Sequence, residues 1–565
     1  MLSKKERDLI VFLFFITIGA LIAMPVAGYY HFTKPAPDFG GSLIEGLVGT
    51  PQRINPLLVQ NNDAEKDLTG LVYSGLLRYN GQGKIENGLA ESYEISEDGL
   101  IYIFKLRNNL LWHDRQPLTA DDVIFSVITA QNSDYGSTQR IVWQGVEVSK
   151  ADDRTIIFKL KNKYAQFLSN ATMGIIPKHI WEKIKPSSFD LSDFNIKPVG
   201  SGPYKFSKVR RDTAGNIKSF ELAAFEKYYA GKPYISKIIF KFYQSENDMI
   251  TAYNNNEIEG LGFISPQNLN SFRFLGQLKI LKLRLPRYFA VFFNQNRSKQ
   301  LSDKNVRLAI NYATNKNGLV DKILNGYGTA VDSPMLFGII NPSGQIAKQE
   351  FGIELANKTL EDANWSYPAS SSDNHRIREK VLPPPKNKKN QPGEPLKLEI
   401  KLTTSDWPEL IAVGNEIKRQ WETVGVAVNL EVLPLPELQR VIKERNYDAL
   451  LFGEVLALDP DPFSFWHSSQ KRDPGLNLAL YDNKDADKLL EDARQTLVYS
   501  ARLAKYDEFQ KIVANEIPAV FLYSPDYLYA QPVKIKGNNN KLISMPSGRF
   551  DTVNKWYIET KRVTR

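Results

Sequence analysis

His31, His113, His179, His375 and His467 are the only imidazoles in this 565-residue chain, and they are scattered. None stands at the His-x-x-x-His spacing that puts two metal ligands on one helical face, and none makes a Glu-His pair. The sequence therefore argues against a metallohydrolase and against a directly coordinated nickel ion. There is no cysteine, which removes thiolate nucleophiles, Cys-ligated zinc and disulfides. Serines are common, but no Gly-x-Ser-x-Gly elbow occurs. With 63 Asp and Glu residues, no carboxylate pair singles itself out as a glycosidase dyad. Pro198–Phe206 (PVGSGPYKF) has the glycines of a phosphate loop. Its spacing fits no P-loop, and no Lys-Ser/Thr follows. Gly200 and Gly202 instead suit a tight turn with positive φ, and Pro203 stiffens its exit. No catalytic constellation is predicted, and no cofactor.

Elements that would hold a binding surface are easier to read. Ser42–Thr50 is a first strand, Gln52–Leu58 a turn, and Asp67–Leu77 a helix with Leu68, Leu71, Val72 and Leu76 on one face. Tyr93–Arg107 (YEISEDGLIYIFKLR) and Val146–Lys161 (VEVSKADDRTIIFKLK) echo each other as strand, acidic turn, strand. Tyr102, Phe104 and Leu106 share one face of the first pair, and Ile101 and Ile103 the other. These two hairpins predict one sheet of a small lobe. Between them Thr119-x-x-Asp122 resembles a capping box, opening a helix with Val123, Val127 and Ala130 in a stripe. A second unit follows the apolar strand Phe289–Asn294. Leu396–Leu433 reads strand, helix, strand, with Leu410, Val413, Ile417 and Trp421 in register and Gly425 as the stop. Leu438–Asn446 is a helix, Tyr447–Val455 a strand, Asp485–Asn515 helical and Ile517–Tyr523 a strand. Alternation of strands with helices predicts mostly parallel pairing in this unit. Ser366–Pro395, rich in serine, proline and lysine, reads as a surface loop or insertion.

Length and composition bound the class. A chain of 565 residues exceeds one compact core, so two or three lobes are expected. Hydrophobic content of 42%, charged content of 24% and aromatic content of 11% are those of a globular protein. The net charge of +9 is spread as surface excess. No basic stripe with interleaved aromatics stands out, so nucleic acid is not an expected partner. Leu9–Tyr30 is an almost unbroken apolar run, long enough to cross a bilayer. Lys4, Lys5 and Arg7 precede it and place residues 1–8 in the cytoplasm. The run is longer than a usual signal core, and the small-x-small candidate Pro25-Val26-Ala27 is spoiled by its proline. An uncleaved single-pass membrane anchor over 9–30 is the reading, and a cleaved signal peptide the alternative. Either way the body is extracytoplasmic, on the cell surface or in a periplasm. Residues 31–41 read as a juxtamembrane tether.

Asn87–Thr129 (NGLAESYEISEDGLIYIFKLRNNLLWHDRQPLTADDVIFSVIT) resembles the signature region of the extracellular solute-binding proteins of family 5. These are the oligopeptide-, dipeptide- and nickel-binding receptors of ABC importers. Ile54-Asn55-Pro56-Leu57, Tyr73-Ser74-Gly75-Leu76, Pro198–Tyr204, Asn247–Gly260 and Ile517–Tyr523 resemble further family segments in family order. The resemblance implies an α/β, periplasmic-binding-protein-like two-lobe fold (type II, cluster C) with an additional small β-rich lobe. Lobe I would comprise 42–72, 196–288 and 520–565, the accessory lobe 73–195, and lobe II 289–519. Ligand would bind between the large lobes, which would close about a hinge near Phe289 and Val520 and dock on a permease with its ATPase. A monomer is expected.

Peptide is the implied ligand, with oligosaccharide or a metal chelate open; a scaffold or chaperone that has lost ligand binding, and a secreted hydrolase, which would need a convergent nucleophile–base pair, are the rivals from other classes. In peptide-binding members an Asp after a Gly-Trp pair holds the peptide's ammonium. This chain has Gly453-Glu454 there, within Asp448–Ser468 (DALLFGEVLALDPDPFSFWHS). Glu454, Asp459 or Asp461 would substitute, because a carboxylate in a closed cleft makes a strong charge-assisted bond to an ammonium. Equally, Asp459-Pro460-Asp461-Pro462 reads as a turn whose acids cap a following helix. Phe463, Phe465, Trp466, Trp407, Tyr288 and Tyr73 are candidate groove walls, or core.

Overall fold

The computed structural model describes residues 3–60, 62–336, 350–368, 377–383 and 394–564. Two mixed sheets form its frame. A seven-stranded sheet runs in the order Leu278–Leu283, Tyr527–Pro532, Gly260–Leu261, Ser42–Val48, Lys237–Tyr243, Ile217–Ala224 and Tyr204–Arg211. A six-stranded sheet runs Gly328–Ala330, Ala519–Pro525, Arg287–Phe293, Ala449–Val455, Glu399–Ser405 and Ala427–Leu433. The chain passes between them twice, after Leu283 and at Asp526. These crossings lie a few residues from the expected hinge at Phe289 and Val520.

Pairing in the second sheet is mixed rather than mostly parallel. Glu399–Ser405 pairs in parallel with Ala427–Leu433 and Ala449–Val455, each reached through a helix. Arg287–Phe293 arrives from the other sheet and pairs antiparallel with both Ala449–Val455 and Ala519–Pro525. Parallel pairing needs a crossover connection, and a strand entering from another lobe has none.

The accessory sheet has the order Ala90–Ile95, Ile101–Leu106, Thr155–Leu160, Val146–Asp152, all antiparallel, so the two echoing hairpins do lie side by side. Its buried Tyr102, Phe104 and Phe158 belong to the same continuous core as Leu43, Phe240 and Tyr529 of the seven-stranded sheet. Accessory lobe and lobe I therefore form one packed body. The six-stranded sheet instead buries separate clusters on its two faces, one around Val291, Leu402 and Trp421, the other around Phe292, Leu450 and Trp466.

Local details follow the chemistry of the residues. The capping box is present: Thr119 N–H donates to Asp122 Oδ2 at 2.9 Å. The helix expected over Asp67–Leu77 runs Asp63–Val72, because the Asn62 side chain accepts from Ala64 and Glu65 N–H and starts it a turn earlier. Gly200 and Gly202 do not have positive φ. A Cβ on either would meet the end of that helix, 2.0 Å from Val72 O for Gly200 and 2.4 Å from Leu71 O for Gly202. Close approach, not turn conformation, requires them. Four elements of lobe I are tied by a buried network. Arg549, 0% exposed, holds Asp67 at 2.7 Å and Glu45 at 2.8 Å, and Tyr529 OH donates to Glu45 at 2.8 Å.

Lys4–Phe32 is one helix, apolar enough to cross a membrane. The segment after it is not a free tether: Thr33–Pro37 pairs antiparallel with Thr560–Thr564. Arg562 donates to Thr33 O at 2.8 Å and Tyr30 O at 3.1 Å, and its guanidinium lies 4.3 Å from the Tyr30 ring centre. Of the expected insertion over 366–395, residues 369–376 and 384–393 lie outside the described residues. Glu379–Val381 and Pro395–Lys397 pair as a two-stranded ribbon.

Candidate functional site

Helix Asp63–Val72 presents Lys66, Thr69 and Gly70 toward the accessory lobe, and Tyr73 follows at its C-cap. These residues form one wall of a cavity of about 390 Å³. The opposite walls come from Arg78 and Tyr79, from Asn170 and Met173, from Tyr228 and Tyr229, and from Met545, Asp551 and Asn554. The volume falls in the range of small-molecule sites. Buried polar atoms are normally paired, yet Thr69 Oγ1, Tyr73 OH and Asp551 Oδ2 are buried without a hydrogen-bond partner among the described residues. Arg78 does not serve them. It pairs with Glu86 at 2.7 Å and donates to Tyr228 OH at 3.4 Å. Burial pushes the Asp551 carboxyl well above its ordinary range, and it pushes the Tyr73 hydroxyl up as well.

A second polar cluster sits where the chain enters lobe II. Arg287 opens the crossing strand, and its Nε is buried without a hydrogen bond among the described residues. Desolvation lowers its pKa, offset by the charges of Glu409 and, across the crossing, Asp63. Tyr523 OH donates to Glu409 at 2.9 Å, and burial raises that carboxyl. Trp407, 39% exposed, stands beside this cluster with its ring edge-on to Phe289. Asp63 begins the same helix that walls the cavity, so one helix of about 15 Å links the two clusters.

The residues singled out in sequence fall into four places. Tyr73 lines the cavity. Trp407 edges the lobe II cluster. Tyr288, Glu454 and Trp466 come together, but inside lobe II: all three are at most 3% exposed, and Tyr288 bonds Glu454. Strand alternation explains this, since Leu450 and Glu454 point to one face of Ala449–Val455, which packs against helices rather than the cleft. Burial pushes the Glu454 carboxyl up to about 8, and its place against the helices of lobe II keeps it out of the cavity lining. Phe465 is half-buried against the same cluster.

Asp459 and Asp461 build a clasp between lobe II and the accessory lobe. Asp459 accepts from Arg502 at 2.8 Å. Asp461 accepts from Arg494 at 2.6 to 3.0 Å, and from Tyr164 OH of the accessory lobe at 3.4 Å. Gln166 Nε2 donates to Pro460 O at 2.9 Å, and Ala165 N–H to Arg494 O at 2.8 Å. Asp461 also caps Phe463 N–H at 3.3 Å, as its turn reading requires. Sequence reasoning missed Thr69, Arg78, Arg287, Glu409 and Asp551. No group of three His, Asp or Glu able to hold a metal occurs among the described residues.

This frame, two sheets joined by two crossings, is that of a binding protein for solutes; the cavity lies between lobe I and the accessory lobe, and among the described residues no lobe II residue lines it, unlike the cleft between the large lobes expected from sequence. The model of the bacterial extracellular solute-binding proteins, family 5, matches residues 84–475. The chain belongs to that family. It is 26% identical over 532 residues to the oligopeptide-binding protein AppA of Bacillus subtilis, covering 92% of both chains. The solved structure of AppA with a nonapeptide superposes with a TM-score of 0.71 at 25% identity, covering 93% of this chain and all of that one. NikZ from Campylobacter jejuni in complex with Ni(L-His) is similar at 26% identity, with a TM-score of 0.73, covering 91% of this chain and 99% of that one.

Proposed function

We propose that this protein is a peptide receptor of an ABC importer, held at the outer face of the cytoplasmic membrane by its apolar N-terminal helix. It captures peptide without chemical change and delivers it to a permease. The observation that carries this reading is the cavity between helix Asp63–Val72 and the accessory lobe, whose buried Thr69, Tyr73 and Asp551 atoms await polar partners. Peptides offer such partners along the whole backbone. The likeness to AppA over nine-tenths of both chains supports the ligand class. Tyr73 and Trp407 are the ligand-facing members of the residues first singled out. Asp459 and Asp461 act by holding lobe II against the accessory lobe.

Native mass spectrometry of the full chain, purified in detergent from its own host, tests the reading by weighing what the protein retains. Retained masses should resolve into peptides, and small-angle scattering after their removal should show a less compact body. A retained saccharide or metal chelate, or a ligand consumed during incubation, would overturn it.

A further inference from the structure

We infer that the outer face of the seven-stranded sheet carries a site for a doubly charged phosphate, either inorganic phosphate or the end group of a phosphomonoester. Four adjacent strands build it: Tyr204–Arg211, Ile217–Ala224, Lys237–Tyr243 and Ser42–Val48. One cross-strand row holds Arg210, Ser219 and Lys241, and the next holds Lys208, Glu221, Ile239 and Ile44. These seven residues line a hollow of about 210 Å³. Phe220 and Phe240, which alternate with them, point the other way into the core. Phe240 meets Phe550 of the cavity wall, with 5.9 Å between ring centres, so hollow and cavity lie on opposite faces of the sheet. Helix Glu246–Asn254 covers the outer face beside Ile44. Ser219 makes the depression, a short side chain between two long ones. Strands lie about 4.8 Å apart, so the stems of Arg210 and Lys241 stand roughly 10 Å apart across it.

The charges in the hollow do not balance. Its one acid, Glu221, is already engaged by Lys237 at 3.0 Å and accepts from Ser207 Oγ at 3.1 Å. Lys208, Arg210 and Lys241 make no ion pair and no side-chain hydrogen bond among the described residues. Edge protection accounts for part of this, because Tyr204–Arg211 is the last strand of the sheet and basic side chains there discourage pairing with another chain. It does not account for Lys241, half-buried and two strands inside the edge. A tetrahedral oxyanion presents oxygens in several directions at once, so the two ammonium groups, the guanidinium and the Ser219 hydroxyl can each donate to a different one. A carboxylate offers two oxygens in one plane. A phosphomonoester near its second ionisation also brings close to two negative charges, where a phosphodiester brings one. Ile44 and Ile239 leave an apolar floor for the carbon side of an ester.

The site goes beyond peptide capture and does not depend on it. The full chain in non-ionic detergent is titrated calorimetrically at low salt and about pH 8, above the second phosphate ionisation. The probes are inorganic phosphate, phenyl phosphate, acetate and dihexanoyl phosphatidylglycerol. Both phosphates should bind saturably, with Kd of about 1 mM or tighter, and at least roughly ten-fold more tightly than acetate or the diester. Arg210→Gln and Lys241→Gln should each weaken phosphate by about ten-fold. Lys218→Gln should leave it unchanged, since Lys218 lies outside the hollow and pairs with Asp212 at 3.4 Å. Absence of saturable phosphate binding overturns the site, and self-association of Arg210→Gln in that case would leave edge protection as its charges' whole role. Equal weakening in all three variants also overturns it, leaving a diffuse positive surface. Tighter binding of the diester overturns the dianion in favour of a lipid headgroup. Should Lys241→Gln fail to fold, Arg210→Gln and the selectivity of wild type decide.

Discussion

Glu454→Gln should make lobe II more stable at alkaline pH while leaving it nearly unchanged in acid. The Glu454 carboxyl lies between Tyr288 and the helices of lobe II, with Oε1 unpaired among the described residues. Its pKa is pushed from 4.5 to about 8 by desolvation. A raised acid contributes stability below its unfolded value and loses it as pH climbs to its folded value. Between about pH 4.5 and pH 8 the folded state holds a proton that the unfolded chain has released. Stability therefore falls by about 1.4 kcal/mol per pH unit across that window, approaching about 5 kcal/mol in total. Glutamine is an uncharged near-isostere and pays no such cost. Wild type and variant would be unfolded in urea at steps from acid to alkali, followed by tryptophan fluorescence, which reports on the buried Trp466. The stability difference should open by several kcal/mol in favour of the variant, with most of the change between pH 5 and 8. A difference that stays flat with pH would refute the buried neutral acid, and would reopen Glu454 as a solvated, charged group.

Four further outcomes are expected. In the clasp, a double-mutant cycle of Asp461→Asn with Arg494→Gln should give a coupling of about 1.5–3 kcal/mol, the scale of a charged hydrogen bond; a coupling near zero would make the contact incidental. Arg549→Gln should destabilise lobe I by about 3–5 kcal/mol in denaturant, because it strands the Glu45 and Asp67 carboxylates away from water; full stability would contradict that network. Trp407→Ala should weaken peptide retention while changing stability by roughly 1 kcal/mol or less, since its ring is partly exposed; unchanged affinity would remove it from the site. Protease added to cells with a permeable outer layer should release a large soluble fragment, whereas a mature chain beginning near Gly28 would show a cleaved signal instead.

The parts of the fold legible in sequence are those fixed by short-range chemistry. Tyr102, Phe104 and Leu106 alternate with Ile101 and Ile103, and that period already specifies the strand and its buried face; cover on both sides, which the apolar Ile101 and Ile103 suggested, is not found, since those two are only half-buried. Thr119 and Asp122 carry their capping box within four residues. Glu454 shows where local reading stops. Its strand and its parity within the strand were readable, but which face looks into a cleft depends on how helices from residues 463 to 516 pack, and no local pattern encodes that. Asp551 was invisible for a stronger reason. It sits in a short irregular stretch with no periodicity, and Thr69 and Tyr73, which line the same cavity, lie nearly five hundred residues earlier. The buried Arg549 network, drawing on strand Ser42–Val48 and helix Asp63–Val72, brings them together.

Under the proposed anchoring by the N-terminal helix, the ribbon between Thr33–Pro37 and Thr560–Thr564 bears on delivery. A flexible leash would let a receptor sample a hemisphere above the bilayer, diluting its encounters with a transporter in the same membrane. A stiff junction narrows that search to a shallow shell at fixed height, and effective concentration rises as the sampled volume shrinks. The same stiffness removes tolerance: a body held at the wrong tilt cannot dock at all. Spacers inserted after Phe32 would therefore be read by transport rate rather than by affinity, with the first few residues mattering most.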